Sequence, residues 1–218
     1  MRSHKASAFA LACVLTLCAF GAHAGAQIYE PLSASVRAAL YKAVSDHAVP
    51  YLAFESEAEA RAWLTVMSAR LAKRMPDRVA REEFLVTVHY EAKRAGLDPQ
   101  MVLGLIQVES AFRKYALSSA GARGYMQVMP FWVNLIGGGD QNLFHLRTNL
   151  RFGCVILRHY LDIERGDLFR ALGRYNGSLG RAEYPNTVLA AWRGFWNYAV
   201  RPLDIGREER RLAGASAM

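Results

Sequence analysis

The stretch GLIQVESAFRKYALSSAGARGYMQVMP, residues 104–130, is decisive for the fold because it places one acid inside an apolar helical pattern. Glu109 shares a helix face with three apolar side chains, since the four positions follow the spacing i, i+3, i+4, i+7. The three apolar residues are Val102, Leu105 and Ile106. Burial disfavours the charged form of a carboxylic acid and raises its pKa. A Glu that stays protonated near neutral pH is suited to general acid catalysis.

The helix that carries Glu109 has a clear start. Asp98 is a preferred N-cap residue, and Pro99 fits the first helical position. Helix position alone leaves a second interpretation of Glu109, in which it ends the helix at the surface or pairs with Arg113 at i+4. The segment that follows favours a functional role, because its glycines permit tight turns and Gln127 is a hydrogen-bonding amide among apolar neighbours.

The rest of the chain predicts a mainly α protein with at most a small β element. The sequence has 218 residues, 52% of them hydrophobic and 21% charged, which is typical of a globular protein with one sizeable domain. Amphipathic helical patterns bounded by Pro or Gly cover most of it, whereas strand signals are scarce. The net charge of +8 predicts an anionic partner, such as lipid headgroups, nucleic acid or a cell-wall polymer.

The N-terminus has the pattern of a secretory signal peptide. Two basic residues, Arg2 and Lys5, precede an apolar run that is shorter than a membrane-spanning helix requires, and Ala22-His23-Ala24 has the form of a cleavage site. We therefore expect cleavage after Ala24, a secreted or periplasmic location and no transmembrane anchor in the mature chain. Cleavage would leave Cys154 as the single cysteine, which excludes an intramolecular disulfide.

Several sequence blocks, in order, resemble the soluble lytic transglycosylase (SLT) domain, which is similar to goose-type lysozyme. The blocks span roughly residues 79–200, and two positions depart from the common pattern: Tyr125 replaces the more usual Leu, and RYNGSLG is a variant of Ala-Tyr-Asn-x-Gly. The matching blocks are Glu109-Ser110, Gly124-Tyr125-Met126-Gln127, NLRFGCVILRHYL at 149–161, Tyr175-Asn176-Gly177 and YPNTVL at 184–189.

The resemblance implies a helical lysozyme-like fold and cleavage of the β-1,4 bond between N-acetylmuramic acid (MurNAc) and N-acetylglucosamine (GlcNAc) in peptidoglycan. Glu109 would be the catalytic acid/base, and Ser110 would orient the substrate or Glu109. The remaining residues of the implied site would bind the substrate. They are Tyr125, Met126, Gln127, Tyr175, Asn176 and Tyr184.

The distribution of acids bears on the reaction type. Glycosidases usually need two carboxylates, yet no Asp or Glu occurs from Ser110 to Gly139. Asp140, Asp162 or Glu164 could still reach the site through the fold. A single-acid mechanism, in which the acetamido group of the substrate is the nucleophile and a 1,6-anhydro ring forms, is consistent with a lone Glu109. The alternatives are a hydrolytic muramidase and a non-catalytic peptidoglycan-binding or assembly subunit of the same fold.

Four parts of the chain are predicted: a signal peptide at 1–24, a helical extension at 25–78, the lytic transglycosylase domain at 79–200 and a flexible tail at 201–218. The extension either docks on the domain or binds a cell-envelope or secretion-machinery protein. No nucleotide motif is present, and the histidines lack metal-site spacing, so neither cofactor nor metal is predicted. Peptidoglycan strands are the expected partner, and nucleic acid is not.

Overall fold

The structure, a computed structural model, describes residues 27–45, 48–199 and 201–216. The predicted signal peptide and its cleavage site lie outside these residues. Helices make up nearly all of the regular secondary structure in the described residues, which confirms the mainly α fold class. Its helices are α1 (Ala34–Val44), α2 (Glu57–Leu71), α3 (Arg78–Arg94), α4 (Pro99–Ser110), α5 (Phe131–Ile136), α6 (Leu146–Ile163), α7 (Leu168–Asn176), α8 (Glu183–Ala191), a π-helical turn (Trp192–Trp196) and α9 (Pro202–Ser216).

Helix α4 is the central element of the fold. Its start is as predicted, because the Asp98 carboxylate accepts hydrogen bonds from the backbone N–H groups of Gln100 and Met101 at 2.7 and 3.0 Å. The helix packs against α3, α8 and the π-helical turn. Contact with that turn requires Gly104, since a Cβ there would lie 3.0 Å from the backbone N of Trp192. The last turn of α4, which carries Glu109, is thereby held inside the core.

The small β element consists of two isolated antiparallel bridges in the connection between α4 and α5. They join Leu117 to Arg123 and Arg123 to Val128. The backbone of this connection is tightly folded, and Gln127 has a positive φ of 49° that is uncommon for a residue with a side chain. Such strained backbone is often associated with functional sites.

The two helices before residue 78 pack on the rest of the molecule. Helix α1 contacts α5 and α6, and α2 contacts α3 and α9. Buried side chains of both helices, among them Leu40 and Trp63, belong to the same hydrophobic core as α3 and α4. Residues 27–78 therefore dock on the domain, one of the two roles expected for them, while the boundaries drawn from the sequence remain predictions.

The C-terminal segment differs from the flexible tail expected for residues 201–218. Residues Pro202–Ser216 form α9, which contacts α2. Asp204, in its first turn, accepts hydrogen bonds from Tyr198 and Arg201, and the Glu, Arg and Leu residues of the segment have good helix propensity. Across the described ranges, no helix is long and apolar enough to cross a membrane.

Candidate active site

Glu109 lies in the last turn of α4 and is 3% exposed. Burial raises the pKa of its carboxyl group to about 8, and a hydrogen bond from Tyr184 partly opposes that rise. The apolar helix face predicted from the sequence is confirmed, because Val102, Leu105 and Ile106 are completely buried. At neutral pH the protonated form of Glu109 therefore predominates.

The two oxygens of the Glu109 carboxyl group have different surroundings. Oε1 accepts a hydrogen bond from the hydroxyl group of Tyr184, in the first turn of α8. Oε2 is buried and has no hydrogen-bond partner among the described residues. Because Tyr184 donates to Oε1, the carboxyl proton is expected on Oε2. The protonated oxygen of Glu109 thus has no hydrogen-bond partner among the described residues, which is unusual for a buried polar atom.

The segment from Gly124 to Met129 is fixed by α6. The Asn149 side chain accepts a hydrogen bond from the Met126 N–H at 2.8 Å and donates to the carbonyls of Arg123 and Leu143, each at 2.8 Å. Gly124 has a φ of 74°, and a Cβ there would lie 2.4 Å from the Asn149 amide nitrogen. Glycine is therefore required at this position.

Met126 is completely buried beneath this segment. Its side chain packs on Gly153 of α6, where a Cβ would lie 2.4 Å from the Met126 sulfur and 2.7 Å from its Cβ. The glycine in the Asn149–Leu161 block thus allows the segment to approach α6 closely.

Tyr175 connects the same segment to the surroundings of Glu109. Its hydroxyl group, on α7, donates to the Met126 carbonyl at 2.8 Å. Burial raises the pKa of Tyr175 well above its usual range, and the nearby charge of Glu109 raises it further. The fold therefore brings Tyr184 into contact with Glu109 and places Tyr175 close by.

Gln127 and Ser110 use their side chains within the protein. The Gln127 amide donates to the carbonyls of Ala116 and Gly124 at 3.1 and 3.0 Å, which stabilises its own strained backbone. The Ser110 hydroxyl donates to the Ile106 carbonyl at 3.2 Å. Because the Ser110 hydroxyl group is directed to this carbonyl, a role in orienting Glu109 or the substrate remains a prediction.

Tyr125 and Asn176 complete the predicted set. The Tyr125 ring packs against Phe84, with ring centroids 4.8 Å apart, and is 7% exposed. Its position therefore indicates a core residue, because the ring contacts α3. Asn176 ends α7 and is 7% exposed. Substrate contact by either residue remains a prediction.

The three acids that the sequence offered as a second carboxylate are engaged elsewhere or exposed. Asp162 forms an ion pair with Arg158 within α6, and Glu164 pairs with Arg170 and Arg174. Asp140 is exposed and lines a cavity beside α1 and α6. Burial, not a neighbouring carboxylate, is the main cause of the raised pKa of Glu109.

Two residues of this region were absent from the set predicted from the sequence. Asn149 was part of a matching block, and an Asn early in an apolar helix was the available signal for its role. Gln27 is 4% exposed and hydrogen-bonds to the backbone of Gln127 and Met129. No local pattern indicates a contact between residues 100 positions apart.

Comparisons with known proteins identify similar sequences over the region that contains Glu109. Residues 87–187 match the family model described as the transglycosylase SLT domain. The chain is 48% identical over 52 residues to membrane-bound lytic murein transglycosylase C of Actinobacillus pleuropneumoniae serotype 5b (strain L20). The aligned region covers 24% of this chain and 14% of that protein. The chain is also 33% identical over 110 residues to the transglycosylase of Enterobacteria phage PRD1. This aligned region covers 47% of this chain and 40% of that protein.

The helical fold and the buried Glu109 in its matching block define a lysozyme-like domain. The match to the transglycosylase SLT family covers residues 87–187, just under half of the chain. The chain spans well under half the length of these two curated relatives.

Proposed function

We propose that the protein is an exported lytic transglycosylase that cleaves the MurNAc-β-1,4-GlcNAc bond of peptidoglycan. The observation that carries the proposal is the carboxyl group of Glu109, which is buried, has a pKa raised to about 8 and keeps one oxygen unpartnered among the described residues. The family match and the relatives named as murein transglycosylases support the choice of substrate. Export rests on the signal-peptide pattern of residues 1–24.

The reaction needs one acid/base group. Glu109 donates the proton on Oε2 to the glycosidic oxygen, the MurNAc C1–O bond breaks, and the acetamido oxygen of MurNAc attacks C1. The Glu109 carboxylate then takes the proton of the MurNAc 6-hydroxyl group, and O6 displaces the acetamido oxygen from C1. This step closes a 1,6-anhydro ring and restores the proton on Glu109. No water is consumed, which distinguishes the reaction from hydrolysis.

Mass analysis of muropeptides released from murein sacculi tests the proposal. We expect the mature protein to release products that end in 1,6-anhydro-MurNAc, and Glu109→Gln to release none, because the amide cannot donate and recover a proton in this way. Glu82→Gln, at an exposed Glu–Arg pair on α3, is the matched control and should behave as wild type. Reducing ends without the anhydro sugar would indicate a muramidase, and no release by the wild type would indicate a binding subunit.

Stability provides the folding control for Glu109→Gln. The pKa of the Glu109 carboxyl group is about 8 in the folded state and 4.5 in the unfolded state. Its contribution to stability is therefore fully present below pH 4.5 and is lost as pH rises through 8. The amide does not titrate. Glu109→Gln should therefore be more stable than wild type at pH 9, by about 2 kcal/mol or more, with a smaller difference at pH 5.

A further inference from the structure

Gln27 belongs to the N-terminal segment, residues 27–32, which precedes α1 and matches no block of the family. Its side chain is nevertheless among the most buried polar groups of the chain, at 4% exposure. A buried carboxamide must be hydrogen-bonded to be tolerated. The partners of this one lie next to the proposed site.

The carboxamide of Gln27 pairs with the backbone on both sides of Val128. Its Nε2 donates to the Gln127 carbonyl at 3.2 Å, and its Oε1 accepts from the Met129 N–H at 3.0 Å. One side chain thus satisfies a backbone acceptor and a backbone donor, as a neighbouring peptide group does in a sheet. This pairing adds to the hydrogen bonds that the Gln127 side chain makes to the carbonyls of Ala116 and Gly124, and both stabilise the strained Gln127 backbone.

The same carboxamide also interacts with Tyr175. Burial raises the pKa of the Tyr175 hydroxyl group and the Gln27 side chain opposes that rise, while the hydroxyl itself donates to the Met126 carbonyl at 2.8 Å. Gln27 and Tyr175 therefore both hold the backbone between Met126 and Met129. The charge of Glu109 also acts on Tyr175, so this group lies near the proposed acid.

Further contacts fix the segment beyond Gln27. The Tyr29 ring packs edge-on against Phe131 of α5, with centroids 5.7 Å apart. The Glu30 carboxylate accepts a hydrogen bond from Arg174 of α7 at 2.8 Å, and Arg174 also pairs with Glu164 at 2.7 Å. The segment is therefore attached to both α5 and α7, which flank the connection that Gln27 holds.

We propose that Gln27 is a positioning residue of the transglycosylase reaction. It fixes the backbone from Met126 to Met129 and the Tyr175 hydroxyl group relative to Glu109, and it acts through those groups and not on the substrate. The inference rests on the proposed function, because it assigns a role within that reaction. It gives the segment before α1, which the SLT match does not include, a direct part in the site.

The variant Gln27→Met tests this role, because methionine keeps the volume of the side chain and removes its hydrogen bonds. A second variant, Gln27→Leu, also lacks both hydrogen-bonding groups and checks the result with an apolar side chain of different shape. Gln141→Ala is the control, since that glutamine makes one hydrogen bond to the Gly137 carbonyl, outside the site. Steady-state rates are measured on soluble glycan strands freed of peptide cross-links, per molecule of folded protein.

We expect kcat of both Gln27 variants to fall by about 10- to 100-fold while KM changes by less than about threefold, as for lost positioning without lost substrate contact. Gln141→Ala should match wild type. An unchanged kcat in folded Gln27→Met would show a merely structural residue, and a raised KM with unchanged kcat would show a substrate contact; each overturns the proposal. A wild-type protein that releases no anhydro product would instead refute the proposed function itself, and the positioning role with it.

Discussion

At the scale of single residues, the chemistry depends on how Glu109 is kept protonated. Burial alone would raise its pKa further, but the Tyr184 hydroxyl group donates to Oε1 and stabilises the carboxylate form. The result, about 8, leaves an acid that is protonated at neutral pH and can still lose its proton during the reaction. Tyr184 therefore adjusts the acidity of Glu109 and directs its proton to Oε2.

The variant Tyr184→Phe should shift the pH dependence of the reaction. Wild-type kcat/KM is expected to fall as pH rises above about 8, when Glu109 loses its proton. Loss of a hydrogen bond to the charged form raises the pKa, so the alkaline limb should move upward by roughly one pH unit. Tyr115→Phe is the control, because Tyr115 is an exposed tyrosine near the same connection. A limb that stays in place in Tyr184→Phe would contradict the assigned role.

The residues of this site differ in how far the sequence could predict them. Glu109 was found because its burial follows from helix spacing, and Asp98 because capping is local. The contact of the Tyr125 ring with Phe84, a partner 41 positions earlier, was not predicted, and substrate contact by Tyr125 stays a prediction. The proposed role of Gln27 depends on its hydrogen bond to Gln127, 100 positions further along the chain. Helical periodicity describes neighbours within one or two turns, so contacts of this range are visible only in the fold.

At the scale of elements, the site depends on the close packing of α6 against the connection from α4 to α5. Asn149 and Gly153 lie four residues apart on one face of α6. The first binds the backbone of Met126, and the second leaves room for its side chain. The helix thus acts as a rigid support for a strained segment.

Replacement of Gly153 by Ala should displace that segment. The new Cβ would lie 2.7 Å from the Met126 Cβ, so rotation of the flexible end of Met126 cannot relieve the overlap. We expect a loss of about 1–3 kcal/mol in the free energy of unfolding and a kcat reduced by tenfold or more. Urea denaturation and the glycan-strand assay measure the two effects. Gly214→Ala in α9 is the control, since nothing lies within 4 Å of its Cβ position, and equal behaviour of both variants would contradict the packing model.

At the scale of the whole molecule, an ion cluster around a buried carboxylate joins helix α1 to α3 and α6. Glu91 of α3 is completely buried and pairs with three arginines at 3.0 to 3.4 Å. The same arginines donate to carbonyls at and after the C-terminal end of α1, at Ala43, Val44 and Ala48. The cationic partners of Glu91 are Arg94, Arg147 and Arg151. One carboxylate thus organises the cations that hold α1 against α3 and α6.

The variant Glu91→Gln should therefore destabilise the entire fold. Removal of one partner from a buried ion pair leaves uncompensated charge, and here three arginines would face a neutral amide, so we expect a loss of roughly 3 kcal/mol or more in the free energy of unfolding. Glu82→Gln, on the same helix but at an exposed pair, should cost less than about 1 kcal/mol. Urea denaturation of both variants gives the comparison.

Because α1 continues from the segment that carries Gln27, hydrogen exchange of the Met129 amide should also accelerate in Glu91→Gln if the cluster holds that segment in place. Equal stability of the two variants would mean that the arginines are held by the α1 carbonyls alone.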